Sequence, residues 1–436
     1  MGYATMYPES ITIKPLENPP DLTVTLSGSK SITNRALIMA ALADGQTTLY
    51  GALKSEDTEV MQTALQALGI QIESSDDGST IIIGGLGGHI PEHSAQLNLA
   101  NSGTSIRFLS ALCGLGRGEF KLDGTERMRM RPQADLLSGL NQLGVDAESV
   151  LGNGCPPLRV RGGGKVVGGV CRINAEASSQ FLTALLMIAP YAENDVTVEV
   201  IGPFRPLYVA ITTEMMRQWG VTVEQSRSAF HVRAGQHYSS QSNYQIEPDA
   251  SAASYFFAAA ALTGGSVVVK GLREDSLQGD VLFATRVLKE MGCVVEFTDN
   301  GIKVTGPKSG QLKGGKWDMS AISDTSLTLA AIAPFASEPT TVTGIAHARL
   351  QECDRISAIC TELSRLGVKV DEYDDGFRIW PCDQIQPASL QTYKDHRMAM
   401  SLALIGLKVE GITILNPDCV AKTVPNYWQL LESLRS

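Results

Sequence analysis

No stretch of this sequence stays apolar for the roughly 20 residues needed to cross a bilayer. The longest apolar runs, such as FLTALLMIAPYA (181–192), fall well short. The amino-terminal MGYATMYPES has neither a basic segment nor an apolar core, so a secretory signal is not expected. Met6 breaks the myristoylation pattern. The eight cysteines, at 113, 155, 171, 293, 353, 360, 382 and 419, include no pair at C-x-x-C spacing. Free thiols in a reducing compartment are expected. The six histidines are dispersed and do not read as a metal site. Cations are in deficit, 36 Lys and Arg against 46 Asp and Glu, a net charge of −10. That balance argues against general binding to nucleic acid or to a membrane surface. An anion site in such a chain has to come from cations gathered locally. There is no G-x-x-x-x-G-K-[ST] and no G-x-S-x-G. GGLGGHI (84–90) and GGGKVVGG (162–169) are glycine-rich, but neither follows a strand and opens a helix as a dinucleotide loop does. Both are expected to close strand pairs. These absences together read as a soluble, cytoplasmic protein.

What is present is a repeat. The chain is long enough, at 436 residues, for two domains, and its 43% hydrophobic content supports a sizeable core. TLSGSKSITNRALIMAAL (25–42) is a small, polar opening that runs into an Ala- and Leu-rich helix pattern. A β-rich stretch follows, then a polar loop, a second helix ending in ALGI, and a strand pair. The same order returns from ANSGTSIRFLSALCGL (100–115), EASSQFLTALLMIAPYA (176–192), PDASAASYFFAAAALTGG (248–265), ISDTSLTLAAIAPFA (322–336) and TYKDHRMAMSLALIGL (392–407). The second helix closes on ALGI, QLGV, QWGV, EMGC or RLGV in five of the six units. That is a glycine C-cap leading into a strand. The openings carry Ser, Asn, Asp or Thr, the N-cap residues. Six units divide into three and three, with the join in the polar run HYSSQSNYQIEPD (237–249). The first strand, SITIKPL (10–16), could pair with either half.

Across the six units the unusual residues fall in two places. One is the helix opening: Lys30, Asn101 with Thr104, Ser178-Ser179-Gln180, Asp249, Asp324, and His396-Arg397. The other is the loop before the second helix: Asp57, Arg127 with Arg131, Arg205, Asp280, Glu352-Asp354-Arg355, and Lys422. Helix N-termini attract anions through free N–H groups and a partial positive charge. Six openings brought to one cleft, with these cations around them, would make a strong anion trap. Any one of the cations alone reads better as a solvated surface residue; recurrence at equivalent points reverses that. Asp324, Glu352 and His396, set among the cations, suggest proton transfer.

The motifs SGSKSITNRAL (27–37), ANSGTSIRF (100–108), ERMRMRP (126–132), SSQFLTALL (178–186), PDASAASYF (248–256), ECDR (352–355), KDHRMAM (394–400) and CVAKTVPNYW (419–428) resemble those of the 5-enolpyruvylshikimate-3-phosphate synthases. The resemblance runs along essentially the whole chain. It implies an α/β fold of six βαβαββ repeats, three per domain, forming a two-domain inside-out barrel. Residues 22–243 would form one domain and residues 1–21 with 244–436 the other, with the active site in the cleft between them. It implies a monomeric transferase that needs neither metal nor organic cofactor. Its substrates would be shikimate 3-phosphate and phosphoenolpyruvate, in the shikimate pathway to chorismate and aromatic amino acids. Reaction would go by addition and elimination through a tetrahedral intermediate.

By the same resemblance the catalytic residues would be Lys30, Asp324, Glu352, His396 and Lys422. Shikimate 3-phosphate would be held by Lys30, Ser31, Arg35, Ser178, Ser179, Gln180, Asp324, His347 and Gln351. Phosphoenolpyruvate would be held by Lys30, Asn101, Gly103, Thr104, Arg127, Gln180, Arg355, Arg397 and Lys422. Three positions depart from the family pattern: Gln351 replaces a lysine, His347 an asparagine, and GPFRPLY (202–208) lacks a serine. Arg205 or Arg349 could supply the missing contact. Phe108 replaces a proline near the site of the herbicide glyphosate, for which this family is the target. The sister transferase acting on UDP-N-acetylglucosamine fits less well, because LDGTERMRMRP carries no cysteine and Lys30 is followed by Ser31. RNA 3′-phosphate cyclases and a catalytically dead binding protein are weaker readings still.

Overall fold

The structure is a computed structural model that describes residues 7–308 and 311–435; the expectations for residues 1–6 fall outside the described residues. Two compact units are present. Gly28–Ile246 form one, contiguous in sequence. The segments up to Ser27 and from Glu247 form the other, which is split.

Five four-stranded sheets and one three-stranded sheet carry the repeat. In the second repeat Ser94–Asn98 lies parallel to Arg117–Asp123, which pairs antiparallel with Leu158–Gly163, and Asp146–Ser149 closes the edge. The third and fifth repeats share this order. The first and fourth repeats take their leading strand from elsewhere in the chain. Tyr244–Gln245 pairs with Leu49–Tyr50 of the first repeat. Asp21–Val24 pairs with Ser266–Val269 of the fourth. The sixth sheet is completed by Ser10–Thr12, antiparallel to Thr413–Leu415. The strand left open by the sequence reading therefore belongs to the split unit. These pairings place the crossings between units after Ser27 and after Ile246, a few residues from the sequence boundaries after 21 and 243.

Each repeat opens on a helix buried on every side. From Ile32 on, all of Lys30–Leu42 is buried, and Ala250–Thr263 is buried at twelve of its fourteen residues. A helix apolar all round belongs inside a core, and alanine lets backbones approach closely. Small polar side chains such as Ser110, Thr183, Ser254 and Ser401 are buried along them as well. The second helices are amphipathic: Arg355–Arg365 buries Ile356, Ile359 and Leu363 and leaves its other face wet. Their closing glycines, Gly69, Gly144, Gly220, Gly292 and Gly367, all have φ between +81° and +103°. That left-handed backbone is why glycine recurs there. In the fourth repeat the expected regular helix is instead a π-helical segment, Phe283–Leu288. All eight thiols are free.

Candidate active site

In the contiguous unit the cations sit at the buried helix openings. Ser29 caps Lys30–Leu42 by accepting from the Ile32 amide. Lys30, the first residue inside, places Nζ 3.3 Å from Asp57 Oδ2, and Asp57 is nearly inaccessible. Arg35, one turn on, is 3% exposed. It donates Nε to Thr212 Oγ1 at 2.7 Å, Nη1 to the Ser31 carbonyl at 2.8 Å and Nη2 to the Tyr208 carbonyl at 3.3 Å. Its guanidinium lies 5.5 Å from the centre of the Phe108 ring. Thr212 continues to Thr183 at 3.2 Å, so Arg35 is gripped by four helices. None of these partners is a carboxylate. Burial accordingly pulls its pKa down from 12.5 to about 10. The group is still charged at neutral pH, as a guanidinium is in proteins. A buried cation held only by neutral acceptors is suited to receive an anion.

The second and third helix openings meet through Gln180. Its Nε2 donates to Thr104 Oγ1 at 3.0 Å, and its Oε1 accepts from Arg107 Nη1 at 2.7 Å. Both halves of the amide are thereby fixed. The Gln180 backbone N–H donates to Ser178 Oγ at 3.2 Å, and Ser178 and Ser179 are both buried. The Asn101–Gly103 turn is packed by Arg131, which donates Nη1 to the Asn101 carbonyl at 3.1 Å. A Cβ on Gly103 would lie 2.4 Å from Arg131 Nη2, so the guanidinium occupies the space a side chain would need. The residue expected at this point was Arg127. Arg127 is half-buried in the preceding turn, whereas Arg131 is 5% exposed and seated on the Asn101–Gly103 backbone.

In the split unit one network joins most of the predicted residues. Arg355 is 3% exposed and reaches four side chains. Nε and Nη2 grip Asp395 at 2.8 and 3.2 Å, and Nη2 also reaches Glu352 Oε2 at 3.0 Å. Nη1 donates to Gln351 Oε1 and lies 3.5 Å from Asp324 Oδ1. Burial alone would lower the Arg355 pKa; the charges of Asp395 and Glu352 outweigh it and raise it. Glu352 is bridged on its other oxygen by Lys422 at 3.4 Å, and Asp324 by Arg397 Nη2 at 2.7 Å. Asp395 is fully buried and also caps His396–Gly406 through the Arg397 amide. His396 Nδ1 lies 3.5 Å from Asp395 Oδ1, next to this network. His347 Nε2 lies 2.9 Å from Ser323 Oγ.

Two partners were absent from the sequence-predicted set: Arg107 and Asp395. Both stand inside the quoted motifs, so only their partners could reveal them. Gln351 faces Arg355, which gives it a role toward a cation. Arg349 is engaged by Asp354 at 2.9 Å and Glu372 at 2.8 Å, and Arg205 by the Glu176 carbonyl at 2.9 Å. Neither guanidinium stands idle for the missing acceptor contact. Against the expectation that no histidines stand at H-x-x-x-H spacing, His89 and His93 do, but they lie in a non-helical link across Pro91. Among the described residues no group of three or more His, Cys, Asp or Glu is placed to hold a metal ion. No described helix is long and apolar enough to cross a membrane.

The family model for EPSP synthase (3-phosphoshikimate 1-carboxyvinyltransferase) matches residues 17–431. The 3-phosphoshikimate 1-carboxyvinyltransferase of Nostoc punctiforme is 48% identical over 430 residues, 97% of this chain and all of that protein. The chloroplastic enzyme of Arabidopsis thaliana is 42% identical, covering 97% of this chain and 84% of its own length. In structure, EPSP synthase from Acinetobacter baumannii superposes with a TM-score of 0.80 at 26% identity, over 98% of both chains. With sequence and fold matched from end to end, the chain belongs to the EPSP synthase family.

Proposed function

We propose that the chain transfers the enolpyruvyl group of phosphoenolpyruvate to the 5-hydroxyl of shikimate 3-phosphate and releases phosphate. It is a transferase of the shikimate pathway, a 3-phosphoshikimate 1-carboxyvinyltransferase. The observation that carries this reading is the network Arg397–Asp324–Arg355–Glu352–Lys422, in which two carboxylates are each held between two cations.

Both substrates are polyanions, and the cations divide between them. Arg35, with Ser31 beside it, takes the shikimate carboxylate, and Ser178 and Ser179 take its phosphate. Arg131 with the Asn101–Thr104 turn, Lys30, Arg355, Arg397 and Lys422 take phosphoenolpyruvate. Arginine suits these places because its planar fork matches a carboxylate or phosphate edge. Gln180, locked by Thr104 and Arg107, presents one amide face to the ring. Arg131 replaces Arg127 in this assignment.

In the addition step Asp324 accepts the proton of the attacking hydroxyl as its oxygen bonds to C2 of phosphoenolpyruvate. Glu352 delivers a proton to the methylene carbon. In the elimination step Glu352 takes a proton back from the methyl group, the double bond re-forms, and phosphate leaves with the proton that Asp324 took from the hydroxyl. Incoming anions compete with Asp324 and Glu352 for the same guanidinium and ammonium groups, which frees the carboxylates as the substrates arrive. His396 backs Asp395 and so supports the grip on Arg355. Lys30, Ser31, Arg35, Arg131, Ser178 and Ser179 belong to the contiguous unit, and Asp324, Glu352, Arg355, Arg397 and Lys422 to the split one. The protein acts as a cytoplasmic monomer on these small molecules.

The test is phosphate release in the presence of both substrates. Turnover with shikimate 3-phosphate, and none with UDP-N-acetylglucosamine, is the expected result; release with neither acceptor overturns the reading.

A further inference from the structure

Four described residues other than glycine have left-handed backbone, and all lead into site residues. Ala100, at φ +47°, precedes Asn101, and Asn416, at φ +51°, opens the turn Pro417–Lys422. Tyr393 and Lys394, at φ +55° and +56°, are consecutive and precede Asp395. The Asp395 amide closes their turn on the Thr392 carbonyl at 2.9 Å. Two successive positive φ values are what a type I′ turn requires, and Asn and Gly usually supply them. Tyrosine and lysine adopt them only against steric resistance. Such a backbone persists only where its surroundings over-determine it.

The surroundings here are Glu362. It lies on the helix Arg355–Arg365, seven residues beyond Arg355, and is fully buried. Its Oε1 accepts from the Tyr393 hydroxyl at 2.8 Å, and its Oε2 from the Gln391 amide at 3.0 Å. The half-exposed Arg365 places Nε 3.2 Å from the same Oε2. A buried carboxylate is costly unless it is bonded, and two of its bonds go to the segment just before Asp395. Burial, then the hydrogen bond to Glu362, pushes the Tyr393 pKa up to about 12, so the hydroxyl keeps its proton and remains the donor. Two residues after Tyr393 the chain returns to the same helix at its first residue. There Asp395 takes Nε and Nη2 of Arg355 at 2.8 and 3.2 Å. Seven helical residues span about 10 Å. The turn therefore straddles two turns of one helix, anchored at Glu362 and aimed at Arg355.

We propose that Glu362 and Tyr393 are positioning residues: they clasp the strained Thr392–Asp395 turn and so set the angle at which Asp395 holds the Arg355 fork toward the substrate anion. Without the clasp the backbone relaxes from its left-handed values, Asp395 moves, and the planar guanidinium tilts with it. The proposal rests on the reading of Arg355 as a phosphoenolpyruvate ligand.

The test uses Tyr393→Phe, which removes a hydroxyl from a residue that is 40% exposed and leaves the core intact. It reads the KM for phosphoenolpyruvate, kcat, Tm, and the Arg355 Nε–H resonance of the ligand-free protein, the group that donates to Asp395. The KM should rise roughly 3- to 10-fold, the effect of one hydrogen bond, with kcat changed less. The Arg355 resonance should shift or broaden. Adding Lys394→Gly to Tyr393→Phe should restore both, because glycine keeps left-handed backbone without a clasp. A clasp that serves stability alone would lower Tm and leave the KM and the resonance unchanged, which overturns the proposal. Failure of Lys394→Gly to restore them overturns it too. If Arg355→Lys leaves the KM for phosphoenolpyruvate unchanged, the assignment of Arg355 falls instead, and the resonance, which needs no substrate, still decides the clasp.

Discussion

Gln351 Oε1 accepts a hydrogen bond from Nη1 of the buried Arg355. The position at which the sequence pattern led us to expect a lysine is here a neutral acceptor for a cation. The side chain therefore completes the ring of partners around Arg355 without adding charge to it.

A carboxylate at this point would compete directly with an anionic substrate. Gln351→Glu would be a further acid on a guanidinium already shared by Asp395, Glu352 and Asp324. The KM for phosphoenolpyruvate should rise about tenfold or more, the factor that 1.4 kcal/mol of lost binding represents. Gln351→Lys should raise the same KM by repelling Arg355. If either variant alters only the KM for shikimate 3-phosphate, Gln351 serves the acceptor and not Arg355.

Arg131 and Arg127 can be told apart by conservative replacement. Arg131→Lys loses a planar fork seated on Gly103 and Asn101, at about 1.5–3 kcal/mol for a hydrogen bond to a charged group. The KM for phosphoenolpyruvate should increase roughly 10- to 100-fold. Arg127→Lys should leave it within about threefold. The reverse ranking would restore Arg127 to the site.

Arg35 separates stability from binding. A pKa drawn from 12.5 to about 10 by burial means that the folded state disfavours the charge. At neutral pH the group is charged both folded and unfolded, so the penalty, on the order of 3 kcal/mol, is present there and vanishes only as pH rises past about 10. Arg35→Met should therefore not lower, and can raise, the Tm of the ligand-free protein, as replacement of buried charges by apolar groups often does. Binding of shikimate 3-phosphate should weaken by two orders of magnitude or about that. A large loss of Tm with normal binding would make Arg35 a structural residue.

Glu352 tests the proton transfer itself. Glu352→Gln keeps the shape and can still accept from Arg355. Loss of a general acid–base group typically costs 10²–10⁴-fold, and kcat should fall by about that much with little change in binding. Near-normal kcat with weakened binding or lower Tm would leave Glu352 only a bridge between Arg355 and Lys422.

The repeat was legible because its markers are local. Five closing glycines must sit in the left-handed region, and six buried helices must be apolar all round, so both recur in the sequence at fixed order. The strand exchanges were not legible. Ser10–Thr12 meets Thr413–Leu415 some four hundred residues away, and nothing in either segment names the other. The π-helical turn at Phe283–Leu288 was hidden for a related reason: ATRVLKEMG has the composition of an ordinary helix. At the site, residue types were readable and partners were not. ERMRMRP offers three arginines. Arg129 pairs with Asp123 at the surface, Arg127 is half-buried and Arg131 turns inward. The choice follows from Met128, which is fully buried and anchors the turn between them.

The strand that completes the sixth sheet has a consequence for biosynthesis. Residues 28–246 contain every strand of their own three sheets, so they can reach a finished state while the ribosome is still translating the remainder. The split unit has no such freedom. Ser10–Thr12 is made some four hundred residues before its neighbour, Thr413–Leu415. That segment must wait, edge groups unsatisfied, until the sixth repeat has been made.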